Sequence, residues 1–385
     1  MPLRTVLAML ALALLAVCSA ASGEAKPKKV DEKALSEALA KFLSSPIDTR
    51  DTWMEEVIET GADFDLIKKT AASLPGREKA AGFKPQNLKV GGTDYKYYTS
   101  LPQGYNSNKS WPMIVCLTWG PGGEAEARTM MDFLWKENAK DFIVLQLLTA
   151  DGKLFFDGSG PIIEPAIRWA LTKYNVDRER IYLTGSSNGG IGSGWFALRR
   201  ADMLAHMMVF PGLVLKGQGV MSEREPALKN LINLPILLWA GEKDTSWAEG
   251  AKAFAAAMEK IGNKPELIIS PGEEHLPSRT FPFRAKLMQG FLKEKLTRPA
   301  KFEWTFIDTA FPIAHGIELT GDLPSGAVSV EKAPGKVVIG ENLDEPIRLY
   351  LTDADLDGGK VQVLIGEKEV WNGAPSTELK GRLYA

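Results

Sequence analysis

The sequence predicts an α/β fold in which a mostly parallel central sheet is covered by helices on both faces. A helical segment precedes that unit and a small antiparallel β module follows it. Three observations carry the prediction. Apolar runs of strand length ("PMIVCLTW", "FIVLQLL", "RIYLTG", "HMMVF", "PILLWAG", "ELIIS") alternate with amphipathic helical patterns, and strands apolar on both sides belong to sheets buried on both sides. Before residue 86, apolar residues recur at helical spacing. Beyond residue 297 the helical pattern gives way to period-two alternation broken by Gly, Pro, Asp and Asn.

The 385 residues are 45% hydrophobic and 24% charged, an ordinary globular balance that suits one large domain with something smaller, or two domains. A formal net charge of -2 gives no general attraction to polyanions, so nucleic acid is excluded as an expected partner.

Residues 1–23 read as a secretory signal: Arg4, the apolar run "VLAMLALALLAV" and the small residues of "CSAASGEA" follow the order such signals need, with cleavage after Ala20 or Ala21. The expectation is an exported protein, periplasmic or extracellular. Cys18 offers a site for a lipid anchor, although Val17 stands where such signals usually carry Gly, Ala or Ser. Cys116 is then the one thiol of the folded part, no intrachain disulfide can form, and stability must come from the core. No later segment has the length and apolarity of a membrane span.

Residues 24–85 comprise a charged leader and two or three helices ("LSEALAKFL", "TWMEEVIETG", "FDLIKKTAASL"). Residues 86–297 form the α/β unit. It opens with strands paired around a Gly-Gly turn in "LKVGGTDYKYYTSLP" and continues with helices near 124–139, 161–174, 189–200, 247–261 and 278–296. Residues 298–385 form the β module.

Within the unit, "IYLTGSSNGGIGSG" places Gly-x-Ser-x-Gly at Gly185, Ser187 and Gly189, between a buried strand and a helix start rich in small residues. A serine there can sit on a strained turn that projects its hydroxyl, with the Asn188 N–H aimed at a developing oxyanion. A serine needs a base. His206 begins an apolar run and His315 falls in the β module, whereas His275 in "PGEEHLP" follows a strand at the edge where Ser187 lies. Asp244, just past "PILLWAG", supplies the orienting carboxylate, with Glu242, Glu273 and Glu274 as competitors. The order Ser187, Asp244, His275 is that of a hydrolase triad.

Together with "GTDYKYYTSLPQGYNSNKSWPMIVCLTWGPGG" and "VDRERIYLTGSSNGG", these segments resemble the landmarks of α/β-hydrolases over residues 86–297. The nearest likeness is to secreted esterases similar to polyhydroxybutyrate depolymerase and feruloyl esterase, with prolyl oligopeptidase-type hydrolases nearby. The resemblance implies Ser187 as nucleophile, His275 as base, Asp244 as acid, and no cofactor or metal. It also exposes a departure. The family's His-Gly after the third strand is replaced by "TWGPGG", which puts Trp119 in place of the His and Pro121, without an N–H, at the usual donor position. Gly120, Gly122 or the indole of Trp119 must then supply the second oxyanion donor.

Other motifs fail on inspection. Trp195 stands where a dinucleotide loop needs Gly, and Ile191 where a phosphate loop needs Lys. Asp353, Asp355 and Asp357 imitate a calcium loop, but Leu364 occupies the position of its bidentate acid, so the segment reads as a hairpin turn. Of the tryptophans at 119, 195, 239 and 247, Trp119 and Trp247 are the expected pocket residues. The expected function is hydrolysis of small-molecule or polysaccharide-linked carboxylic esters. A prolyl oligopeptidase-like peptidase and a noncatalytic binding protein on the same fold are the alternatives.

Overall fold

A computed structural model describes residues 30–45, 49–74, 84–90, 93–135, 139–212, 222–278, 291, 293–343 and 346–375. The signal-like segment with Cys18, most of the charged leader, the Gly-Gly turn and most of the helix expected over 278–296 lie outside the described residues.

Three helices open the chain, α1 (Glu32–Ser44), α2 (Arg50–Glu59) and α3 (Phe64–Ser73). The carboxylate of Asp31 caps α1 by accepting from Lys33 N–H at 2.9 Å, and that of Asp63 caps α3 through Leu66 N–H at 2.8 Å. Leu35, Leu39, Phe42, Met54, Val57 and Ile67 form a buried cluster of their own.

The central sheet has eight strands in the order β1-β2-β4-β3-β5-β6-β7-β8. They are β1 (Lys84–Val90), β2 (Thr93–Ser100), β3 (Trp111–Leu117), β4 (Ile143–Leu147), β5 (Val176–Ser186), β6 (His206–Phe210), β7 (Ile236–Gly241) and β8 (Glu266–Ser270). β1 and β2 form a hairpin and β2 pairs antiparallel with β4; every other pairing is parallel. The crossover helices are α4 (Glu124–Met130), α5 (Ile163–Lys173), α6 (Asn188–Arg200) and α7 (Thr245–Lys260). Helix α1 lies against α5.

Alternate side chains of the parallel strands enter two cores, which is why these strands read as continuous apolar runs. Met113, Val115, Leu117, Leu183 and Val209 face one core, while Ile114, Cys116, Tyr182, Met208 and Trp239 face the other. Cys116 is fully buried, and that burial pushes its thiol up to about 12, so it is a packing residue. β5 starts earlier than the apolar run suggests, because Asp177 to Arg180 pass along the surface before the strand dives into the core.

The expected β module is present, with one correction: it is not wholly antiparallel. Strands β9 (Lys301–Trp304), β10 (Ile313–Ala314), β11 (Ile317–Leu319), β12 (Val328–Ala333), β13 (Lys336–Ile339), β14 (Ile347–Leu349), β15 (Val361–Ile365) and β16 (Lys368–Gly373) build two sheets, β10-β11-β14 and β16-β15-β13-β12-β9. β13 and β15 pair in parallel, since the chain leaves for β14 in the other sheet between them. Period-two alternation encodes which face is buried and carries no strand direction. The Asp353 segment ends as expected in a tight turn, with Gly358 and Gly359 at φ 56° and 76° between bridged Asp357 and Lys360.

The module is fused to the α/β unit. Phe302, Trp304 and Val330 share one buried cluster with Phe196 and Leu198. The Asn230 side chain donates to Leu198 O at 2.7 Å and Thr305 O at 2.8 Å. From the other side, Arg50 on α2 reaches Glu318 at 3.4 Å and the Tyr350 hydroxyl at 2.9 Å. Among the described residues no helix is long and apolar enough to cross a membrane.

Candidate active site

Parallel strands bring their carboxyl ends to one edge, and the loops there carry the candidate residues. At the end of β5, Ser187 adopts φ 53°, ψ -120°, one of three described non-glycine residues with positive φ. Such a conformation strains an L-residue and persists only where the surroundings hold it. Here the Ser187 N–H donates to Pro211 O at 2.7 Å and Phe210 O at 3.1 Å, while its carbonyl accepts from Ile191 N–H at 3.0 Å. The flanking glycines are steric necessities. A Cβ at Gly185 would lie 2.1 Å from Gly189 O, and one at Gly189 2.2 Å from Leu117 O. Backbone packs on backbone, and the Asn188 N–H opens the first turn of α6, where helix amides have no intrahelical partner.

Asp244 follows β7 and precedes α7; His275 follows β8. Asp244 Oδ2 lies 2.5 Å from His275 Nδ1. The other three acids have different surroundings. Glu242 Oε2 accepts from Gly272 N–H at 3.0 Å, and the Glu273 carboxylate accepts from the Ser278 N–H at 2.9 Å and hydroxyl at 2.8 Å. Glu274 is exposed. Thus Glu242 and Glu273 fold the loop that presents the imidazole, and Lys243 N–H to Glu273 O at 2.9 Å fastens it to the β7 end. Gly241 permits this contact, since a Cβ there would lie 2.0 Å from Glu274 O. The His275 side chain is 41% exposed and Asp244 17%, so the ring faces solvent while its carboxylate is shielded. Trp247 stands beside the imidazole, ring centroids 5.6 Å apart.

The remaining histidines lie elsewhere. His206 begins β6, at the opposite edge of the sheet, packed on Phe291; burial pushes its imidazole down to about 4 and keeps it neutral. His315 sits in the β module between Phe302 and Trp304.

The loop after β3 bears on the second oxyanion donor. Gly122 N–H donates to Trp119 O at 3.0 Å, closing a turn with Gly120 at φ 57°, so that amide is spent on the loop's own shape. Thr149 buttresses the turn: its hydroxyl donates to Pro121 O at 2.6 Å and its N–H to Gly122 O at 3.1 Å. The Asn188 side-chain amide donates to Gly120 O at 2.9 Å and ties the turn to the start of α6. Of the three expected donors this leaves the Gly120 N–H and the Trp119 indole, whose ring stacks edge-on against Phe133 at 6.4 Å. The side-chain roles of Asn188, Thr149 and Glu273 have no signature in the sequence. Trp195 and Trp239 are core residues, packed on Phe311 and Phe210. Among the described residues no three His, Cys, Asp or Glu side chains are grouped to hold a metal ion.

Sheet order, parallel crossovers and the strand–serine–helix turn define the class: this is an α/β-hydrolase fold. No protein-family model matches the chain. Over 155 residues it is 26% identical to the acetylxylan esterase of Coprinopsis cinerea, a match covering 37% of this chain and 36% of that protein. The chain thus spans about a third of the length of this curated relative. Among solved structures it is similar to a thermostable esterase (TM-score 0.44, 18% identity, 55% of this chain and 63% of that one). It is also similar to the esterase Est2 of Thermogutta terrifontis (TM-score 0.43, 18% identity, 55% of this chain and 90% of that one).

Proposed function

We propose that the chain is an exported serine hydrolase that cleaves carboxylic esters through an acyl-enzyme. The observation that carries the reading is the hydrogen bond between Asp244 and His275 in loops at the carboxyl edge where the strained Ser187 also stands. Ser187 Oγ attacks the ester carbonyl as His275 takes its proton, and the imidazolium then protonates the departing alcohol. Water, deprotonated by His275, releases the acid and frees the serine. Asp244 holds the ring and stabilises its positive charge. The oxyanion is met by the Asn188 N–H and the Gly120 N–H, with the α6 amino terminus adding favourable potential. A relative named acetylxylan esterase supports a short acyl group on a polysaccharide or small alcohol as the substrate class.

A fluorophosphonate probe tests the reading. Stoichiometric labelling at Ser187, with turnover of nitrophenyl acetate and none of peptide amides, is the expected result. Amide turnover would move the assignment to a peptidase, and folded protein that takes no label would leave a noncatalytic binder. Within the same reading, Asn188→Ala frees the Gly120 carbonyl and loosens the 119–122 turn. We expect kcat to fall about tenfold, within the loss of about 3 kcal/mol that removal of a whole donor brings, with KM and the thermal midpoint unchanged. An unchanged kcat would show that the tether has no part in the oxyanion site.

A further inference from the structure

A cavity of about 510 Å³ lies where the α/β unit meets the β module, lined in part by Asp202, Arg298, Phe302, His315, Lys332 and Tyr350. It is remote from Ser187. Helix α6 starts at that serine and ends next to Asp202, and its 13 residues span about 20 Å at 1.5 Å per residue.

Most polar groups of the lining are already committed. Asp202 accepts from Arg200 at 2.9 and 3.3 Å and from His315 N–H at 3.1 Å. Asp355 accepts from the Thr352 N–H and hydroxyl at 2.7 and 2.8 Å. The Tyr350 hydroxyl donates to Glu318, and Arg298 turns toward Glu179 at 3.5 Å.

Two groups stay open. Lys332 Nζ donates to the His315 carbonyl at 2.8 Å, and no described carboxylate forms an ion pair with this half-buried ammonium. The His315 imidazole has no hydrogen bond among the described residues, and it is presented by an unusual turn. His315 at φ 48° and Gly316 at φ 81° join β10 to β11, and a Cβ on Gly316 would meet Tyr350 O at 2.7 Å. Among the described residues Asp202 acts most strongly on His315, opposed by Lys332, Arg200 and Arg298, while Asp355 acts on Lys332. Burial keeps the ring itself neutral, with an N–H to give. Phe302, Pro334 and Tyr350 add apolar surface, and the volume suits a small ligand.

We propose that this junction cavity binds a small organic carboxylate with an apolar or aromatic body. One carboxylate oxygen meets the Lys332 ammonium, the other a His315 N–H, and the body lies against Phe302 and Tyr350. The site is separate from the catalytic edge and does not rest on Ser187 chemistry.

Calorimetric titration of the full chain with benzoate, benzyl alcohol and glucuronate tests it. Benzoate should bind saturably, its neutral counterpart benzyl alcohol should not, and glucuronate should bind more weakly for want of an apolar body. Lys332→Met should weaken benzoate about tenfold or more, while Lys332→Arg retains binding and both variants keep wild-type ester hydrolysis. Equal binding of benzoate and benzyl alcohol, a preference for glucuronate, undiminished binding by Lys332→Met, or no saturable heat with wild type would each overturn the proposal.

Discussion

Ester hydrolysis by a Ser187→Ala variant should fall about 10⁴- to 10⁶-fold in kcat, the range seen when a serine nucleophile is removed and only the oxyanion site remains. The backbone of the elbow should survive the change. Its geometry depends on the hydrogen bonds of the Ser187 N–H and carbonyl and on the close packing of Gly185 and Gly189, none of which involves Oγ. An unaltered thermal midpoint therefore accompanies the lost activity. Ser186→Ala is the control, because the adjacent hydroxyl is wholly buried, has no hydrogen-bond partner among the described residues and cannot meet a substrate. Activity that persists in Ser187→Ala, or vanishes equally in Ser186→Ala, would remove Ser187 from the mechanism.

The second large effect is on stability. Glu164 on α5 is buried between Arg168, at 2.6 Å, and Arg200, with side-chain exposures of 10% for Glu164 and 4% for Arg200. Arg200 in turn pairs with Asp202 at 2.9 Å, joining α5, the end of α6 and the β module contact at His315. Glu164→Gln keeps the shape and deletes the charge, leaving guanidinium groups in a site built for a carboxylate. Breaking one partner of a buried pair costs about 3–5 kcal/mol, which for a chain of this size lowers the thermal midpoint by roughly 5–10 °C. Burial would raise the Glu164 pKa, but Arg200 and Arg168 outweigh it and hold the carboxyl at about 2, below its ordinary 4.5. A depressed folded-state pKa contributes stability that is fully present above about 4.5 and is lost as pH falls toward about 2. Chemical denaturation at pH 7 and pH 3 should show the gap between wild type and variant narrowing at the lower pH. A gap that is absent at pH 7, or wider at pH 3, would contradict this account.

How far the sequence could be read follows from what each signal encodes. The strands from β3 to β8 were legible because burial on both faces demands continuous apolar runs, and the runs from "PMIVCLTW" to "ELIIS" show them. Ser187 was legible because small residues on both sides of it point to backbone packed on backbone, and the contacts at Gly185 and Gly189 have that form. His275 and Asp244 followed from their places at strand ends, and their side chains do meet. Gly122 was a reasonable oxyanion donor by position, but whether an amide is free depends on where its own turn sends it. The parallel pairing of β13 with β15 was invisible for a comparable reason: alternation records faces and not directions.

By itself, then, the sequence determined the class of fold, the edge of the sheet that carries the candidate triad and the residue types standing there, since these depend on local pattern and chain order. Only the tertiary structure decided which amide of the 119–122 turn is spent, that the Asn188 side chain holds that turn, that Glu164 meets Arg200, and that Lys332 lines a cavity between distant segments. Hydrogen bonds and ion pairs act over about 3 Å between groups far apart in sequence, and local pattern carries no record of which of them the fold brings together.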